Sequence, residues 1–346
     1  AGRERGVLVV DNSTLYRFAD AKRKNVLNVA RRYAGSGRKG NEVAEEIGGK
    51  VMALRDRFIS KTGRSVDYDA MRGSPLFTEY CHATLELQKL QVGDMSPEQK
   101  TAFFINVYNA LVIHAHIHLG PPRSIMQRAV FFGSVGYDIG GHKYSLSDIE
   151  HGILRANRKP PGLFPKRPFG EGNPRLRHAL QEEEFDPRVH FALVCGAKSC
   201  PPIRVFSPEN LDSALQWATE GFCQEEVTVR ADKRKVKMSM LFKWYHADFG
   251  ATDREMVEWI RRYLPPDSPL EASFKISYHT YSWDQNGRNY EDDNGETVTI
   301  PESPASGPST TIGSHSQRSY VTESAAPADP DLDITHTDEF SNYEDD

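Results

Sequence analysis

Cysteine is scarce in this chain of 346 residues, which holds four, at Cys81, Cys195, Cys200 and Cys223. So few thiols at such uneven spacing exclude a secreted domain built on a disulfide framework. Also missing are a signal peptide and an apolar stretch of about 18 residues, the length a membrane helix needs. From these absences a reducing, cytoplasmic setting is expected. There is no Gly-rich phosphate loop, no His-Glu-x-x-His pattern and no nucleophile elbow, so the common signatures of nucleotide, zinc-peptidase and α/β-hydrolase chemistry are lacking. Strand and helix do not alternate regularly, which argues against a doubly wound parallel sheet. The chain begins at Ala1 without Met and reads as a fragment of a longer protein.

The net charge of −5 hides an asymmetry. Asp284 to Asp346 carries 15 acidic residues against Arg288 and Arg318, which leaves 41 basic and 33 acidic groups, or +8, in residues 1–283. The acidic end is rich in Ser, Thr and Pro, as in Pro301-Glu-Ser-Pro-Ala-Ser-Gly-Pro-Ser-Thr310. It buries too little apolar surface to offset the entropy of ordering, so a disordered, solvated tail is expected. Its charge would also let it fold back over a basic face. Lys233-Arg-Lys235 with Lys237 reads as a solvated hairpin, and nucleic-acid binding is not expected.

Val26, Leu27, Val29, Ala30 and Tyr33, then Val43, Ile47, Val51, Leu54 and Phe58, recur at helical spacing and predict two helices separated by Gly35-Ser-Gly-Arg-Lys-Gly40. Two more are predicted over 76–90 and 99–119. Ser96-Pro97-Glu98 starts the second and Gly120-Pro121-Pro122 stops it. Residues 130–141 predict a hairpin or paired short strands, 144–155 a helix and 157–174 a loop. Strands are predicted over 188–194, 226–230, 235–238 and 274–278, and helices over 208–222 and 252–263.

Chemistry concentrates where an apolar run ends in thiols, glycine and prolines, His190-Phe-Ala-Leu-Val-Cys-Gly-Ala-Lys-Ser-Cys-Pro-Pro202. Phe191 to Val194 predict a short buried strand, so Cys195 and Cys200 lie at or beyond its end. The four residues between them fit neither thioredoxin-type motifs nor zinc knuckles. Five residues can still fold to the Cα separation of a disulfide, roughly 4.4–6.8 Å, so that pairing stays open. Cys195 is expected as a buried small hydrophobe, and Cys200, in a loop near Lys198, as the candidate nucleophile. A thiol nucleophile needs a base within hydrogen-bond reach and a group that orients it. The candidates are His190, His114, His118 and His151. His190 lies a strand's length from Cys195, roughly 16 Å at 3.3 Å per residue, and serves Cys200 only if the loop folds back.

Asn106, Tyr108 and Asn109 interrupt an otherwise apolar helix, where amides and hydroxyls are costly unless satisfied. They form either a polar network that fixes nearby loops or a site that binds ligand or orients a His. Glu150 is expected to pair with Arg155 or Arg188, and Asp186-Pro187-Arg188 to form a turn. Phe242, Trp244, Tyr245 and Phe249 read as core and lid aromatics, with His246 and Asp248 between them as a weak metal or acid–base pair. Neither a metal nor a cofactor is expected.

Four ordered blocks carry a resemblance: Phe103-Phe-Ile-Asn-Val-Tyr-Asn-Ala-Leu-Val-Ile-His114, Tyr144-Ser-Leu-Ser-Asp-Ile-Glu-His-Gly-Ile-Leu-Arg155, Asp186 to Pro202, and Leu241-Phe-Lys-Trp-Tyr-His-Ala-Asp-Phe-Gly250. Together they are similar to the family called domain of unknown function 547, over about residues 65–285, and Ile276-Ser-Tyr-His-Thr-Tyr-Ser-Trp283 resembles its last strand and tail. That family name implies no activity. Thr14-Leu-Tyr-Arg-Phe-Ala-Asp20 resembles the last strand of a DEP domain, a module that often precedes this family and in some members follows a glutaredoxin domain. The resemblance implies protein partners and membrane recruitment through the upstream module. The order of a long helix and then a His-bearing strand resembles papain-like and transglutaminase-like folds, but the helix carries Asn where those enzymes place Cys.

The expected architecture is α+β, with a helical N-terminal half packed on a small, mainly antiparallel sheet and a disordered acidic C-terminal tail. Residues 1–25 are the DEP-like remnant, 26–64 a helical linker, 65–283 the domain of unknown function 547, and 284–346 the tail. The expected role is that of a cytoplasmic signalling or scaffold-associated domain. The alternatives are a cysteine hydrolase or transferase with Cys200 as nucleophile and a His base, and a thiol redox domain using Cys195 and Cys200.

Overall fold

The computed structural model describes residues 25–60, 66–122, 124–162, 165–196 and 203–281, with the backbone of 290–291 and 297–298. Its first layer is helical. Helix α1 (Gly40–Phe58) turns Val43, Ile47, Val51 and Leu54 inward, and packs on α4 (Pro97–Leu119) and α3 (Pro75–Thr84), with the short α2 (Tyr68–Arg72) beside them. The start of α4 is fixed by a reciprocal cap: the Gln99 amide donates to Ser96 Oγ at 3.2 Å, and the Ser96 amide donates to Gln99 Oε1 at 3.0 Å. From Lys100 to Ile117 this helix is buried on every face.

The expectation that no apolar stretch of membrane length exists is corrected here. Helix α4 is long and apolar enough to cross a bilayer, yet 83% of its most apolar window is covered by the rest of the fold, as in the core helix of a globular domain.

Helix α5 (Ile125–Ser134), capped by Ser124, occupies residues expected to open a hairpin. The hairpin itself is shorter, pairing β1 (Gly136–Ile139) with β2 (His142–Ser145). Residues 26–33 form no helix. Asn28 is buried and exchanges hydrogen bonds with the Asp138 backbone in both directions, and also donates to Thr84 O, which holds this stretch extended beside β1. Tyr144 and Ser145 belong to β2, and the helix expected from 144 is a π-wound turn over Asp148–Leu154.

The second layer has three strands. Strand β4 (Lys235–Met238) lies between β3 (Thr228–Arg230), antiparallel to it, and β5 (Lys275–Tyr278), parallel to it. Helices α6 (Leu211–Glu226) and α9 (Asp253–Arg261), with the short α7 (Met240–Trp244) and α8 (His246–Phe249), cover this sheet. Phe191, Phe222, Val236, Met238, Phe242, Phe249 and Trp259 form its core, and a larger cluster surrounds α1, α3, α4 and the hairpin. The architecture is α+β, as expected. In the acidic C-terminal segment, Tyr290–Glu291 pairs antiparallel with Thr297–Val298, and the remainder lies outside the described residues.

Candidate functional site

The strand expected over 188–194 is absent. Asp186 caps the Arg188 amide at 2.9 Å, Pro187 follows, and the chain winds into a 3-10 turn over Pro187–Phe191. Beyond it the backbone is held by a side chain. Asn109 Nδ2 donates to Ala192 O and accepts at Oδ1 from the Val194 amide, both at 2.9 Å. One turn earlier on α4, Asn106 does the same for Phe206, donating at 2.6 Å and accepting at 2.9 Å. The two amides therefore clamp the chain on both sides of the thiol-bearing loop, at Ala192 and Val194 and at Phe206.

Two turns beyond Asn109 on the same face, His116 donates through Nε2 to Cys195 O at 3.1 Å. Sequence reading passed over His116 in favour of its neighbours His114 and His118, although the spacing from Asn109 marks it. Gly196 follows with φ +82°, and a Cβ there would stand 2.2 Å from His116 Nε2, so both conformation and space demand glycine. Cys195 is half-buried, with its thiol 3.4 Å from Tyr281 Oη, which corrects its expected place as an enclosed small hydrophobe. Cys200 and Lys198 lie outside the described residues, as do the Cys195–Cys200 pairing and the DEP-like Thr14 to Asp20.

Behind the loop is a polar cluster drawn from four segments. The π-wound turn is set by the Arg155 amide reaching Glu150 O at 2.9 Å, five residues back. Such turns recur at functional sites. At Gly152 this turn meets Phe169, whose ring would lie 2.6 Å from a Cβ. Glu150 does not pair with Arg155 or Arg188. It accepts instead from Tyr245 Oη at 2.5 Å and from Tyr108 Oη at 3.1 Å. Arg155 is directed to Asp248, with Nε to Oδ2 at 2.6 Å and Nη2 to Oδ1 at 3.1 Å, and Arg158 Nη1 joins at 2.7 Å. His190 Nε2 lies 2.7 Å from Asp248 Oδ2. Its ring lies tilted against that of Tyr245, with centroids 4.0 Å apart.

These contacts fix the protons. Burial works against the Asp248 carboxylate, but His190 and Arg155 hold its pKa well below the usual range. An ionised carboxylate only accepts, so His190 Nε2 carries the hydrogen and, the ring being neutral, Nδ1 keeps its lone pair. Burial lowers the His190 pKa against the pull of Asp248. His151 has the opposite tautomer. Arg155 Nη1 donates to its Nδ1 at 3.0 Å, which leaves the hydrogen on Nε2. Burial drives its pKa down to about 4. For Glu150, burial is outweighed by His151, Tyr245, His190 and Arg155, and the group stays ionised. The cluster thus offers one imidazole poised to accept a proton and another poised to donate a hydrogen bond.

Other candidates lie elsewhere. His114 is fully buried, with Nε2 3.7 Å from Cys81 Sγ and Nδ1 2.9 Å from Tyr137 Oη. Tyr137 in turn meets Tyr80, which donates to Ala110 O. That chain belongs to the helical core. Arg188 pairs with Asp186 at 2.7 Å and Asp212 at 2.8 Å, away from Glu150. His246 pairs with Asp253 at 3.0 Å, so it and Asp248 do not act together. Among the described residues no group of three or more His, Cys, Asp or Glu is arranged to hold a metal ion.

Residues 92–223 match the protein family described as "Protein of unknown function, DUF547". The DUF547 match is narrower than the resemblance over 65–285. It contains Asn106, Asn109, Glu150, His151, Arg155, His190 and Cys195, and ends before Tyr245, Asp248 and Tyr281. No curated protein and no solved structure matches the chain.

Proposed function

We propose that the protein is a thiol-dependent acyl-transfer enzyme, of hydrolase or transferase type, whose nucleophile comes from the loop bearing Cys195 and Cys200. The observation that carries this reading is the His190–Asp248 hydrogen bond of 2.7 Å, a buried neutral imidazole oriented by a carboxylate. Cys195 is held through its carbonyl by His116 and at its thiol by Tyr281, so Cys200 is taken as the nucleophile and Cys195 as the anchor of the loop. In the first step His190 Nδ1 accepts the thiol proton, sulfur bonds to the substrate carbonyl carbon, and the carbonyl electron pair moves to oxygen, where the Nε2–H of His151 donates. The pair then returns, the bond to the leaving group breaks, and His190 delivers its proton to the departing amine or alcohol. Water or an acceptor amine, deprotonated by the same imidazole, resolves the thioester.

An alkylating thiol probe tests this reading. Wild type and Cys195→Ser should label at least tenfold faster than a free thiol, while Cys200→Ser and His190→Gln lose that advantage. Equal, slow labelling of all four proteins would overturn it. A second reading, a cytoplasmic signalling or scaffold domain with protein partners, is favoured by the completeness of the network, in which Asp248 alone accepts from His190, Arg155 and Arg158. On that reading Asp248→Asn weakens the fold, and no thiol in it or in wild type labels faster than a free thiol. The redox alternative requires the thiol count to rise on reduction.

A further inference from the structure

Six large apolar side chains stand exposed among the described residues, and four of them, Leu119, Ile125, Met126 and Val130, fall close together in the chain. Such a concentration marks an interaction surface, where scattered single exposures would not. Three belong to α5, on which Ile125, Met126, Ala129, Val130 and Gly133 are all exposed. At 3.6 residues per turn they share one arc of about 140°, and no polar residue of the helix falls inside it. The opposite side of α5 is buried, with the Phe131 ring 5.2 Å from that of His116, which holds the Cys195 carbonyl. Whatever covers the outer face is thus separated from the thiol loop by two side chains.

The chain enters the fold at the end of this face. Met126, Val130 and Ser134 form one row at four-residue spacing, and Ser134 Oγ accepts from Asn25 Nδ2 at 2.9 Å. The Asn25 carbonyl accepts from the Gly136 amide at 2.8 Å, and Val26 bridges Gly136 in parallel. Running parallel to β1, the chain at Asn25 therefore comes in from the end of that strand at which α5 lies. Residues 1–24 are outside the described residues. In sequence, Asp20-Ala-Lys-Arg-Lys24 is a charged link, preceded by Leu15-Tyr-Arg-Phe-Ala19. The row from Ser134 to Met126 rises about 12 Å, and five extended residues span about 16 Å, so the link is long enough to bring Leu15, Tyr16 and Phe18 to the Met126 end. We propose that the outer face of α5 is the docking surface for this chain's own upstream segment, residues 15–19. A segment tethered at the edge of the face acts at an effective concentration in the millimolar range, an advantage that a second copy lacks. The face is apolar and uncharged, which suits these side chains and not the acidic C-terminal segment.

The test is oxidation of Met126 by dilute peroxide in the full chain, read by peptide mass spectrometry. Bare of any partner, this side chain is 78% exposed and would oxidise at the rate of free methionine. With the segment docked it should oxidise about tenfold more slowly, and Leu15→Asp combined with Phe18→Asp should restore the free rate. Val130→Asp, a change on the exposed face that disturbs no core, should in turn speed amide exchange of residues 15–19 about tenfold while the amides of α4 stay protected. Trp217→Asp, at an exposed position on α6, should alter neither readout. Oxidation of wild type at the free rate would overturn the proposal, and so would protection that the two upstream substitutions leave intact. In that second case, loss of protection on dilution assigns the face to a second copy. Protection that arises only when phosphatidylcholine vesicles are added likewise overturns the proposal and assigns the face to a lipid surface.

Discussion

Asn109 and Val194 are joined as two strands would be, with the Val194 amide donating to the Asn109 side chain at 2.9 Å while the same side chain donates to Ala192 O. A buried amide therefore performs the work of a strand partner. Asn109→Asp keeps the shape and the acceptor but strands Ala192 O and buries a carboxylate. It should lower unfolding stability by about 2–4 kcal/mol, read from urea midpoints, and should raise the alkylation rate of Cys195. An unchanged midpoint would count against the clamp.

Asp248 is the acceptor on which His190, Arg155 and Arg158 converge. Asp248→Asn leaves the buried Arg155 without a carboxylate, Arg158 keeping Glu182, and frees the His190 tautomer. A loss of about 3–5 kcal/mol is expected by denaturant unfolding, because a buried ion pair has lost one partner. Nitrogen NMR of the ring should show the hydrogen no longer confined to Nε2.

Gly196→Ala tests the meeting of loop and helix. At φ +82°, with His116 Nε2 2.2 Å from the new Cβ, the substitution should cost about 1–3 kcal/mol. Combining it with His116→Ala removes the clash but not the backbone strain. The double variant should therefore be less destabilised than the sum of the two single changes, a coupling that a double-mutant cycle reads directly.

Acid should weaken the fold in a defined window. Burial pushes the pKa of His114 down to about 3, and those of His116 and His151 to about 4. An unfolded His titrates near about 6.5, so between those values the unfolded chain binds more protons and stability falls as the pH drops. The Tm should decline between about pH 6.5 and pH 4.5, above the range where ordinary carboxylates titrate. His116→Gln should flatten that decline. A Tm independent of pH across this window would show that these rings are solvated.

Much of the scaffold is legible in the sequence. Ser96-Pro97 and Gly120 bracket α4 because caps and stops are local chemistry, and the periodic apolar residues of α1, α6 and α9 mark their buried faces. The site is less so. Phe191 to Val194 are buried as a strand would be, but the Ala192 and Leu193 amides turn back to Val189 O, and Ala192 O and the Val194 amide bond to Asn109, more than 80 residues away. An apolar run looks the same whichever partner satisfies its backbone. A π-wound turn of seven residues is too short to be told from an α-helix by spacing. The pairing of Asp248 with His190 instead of its neighbour His246 is decided wholly by packing between distant segments.

Val189, Phe191 and Ala192 are near neighbours in the chain, yet Val189 and Ala192 belong to the cluster around α4 and Phe191 to the cluster under the sheet. The peptide bearing His190 is thus a stitch between two cores, and neither core can loosen without pulling on it. Its opening is tied to loss of the whole, so the amides of Ala192 and Val194 belong with the slowest to exchange, and both halves should melt in one transition. Cooperativity between the two layers is written into four consecutive residues.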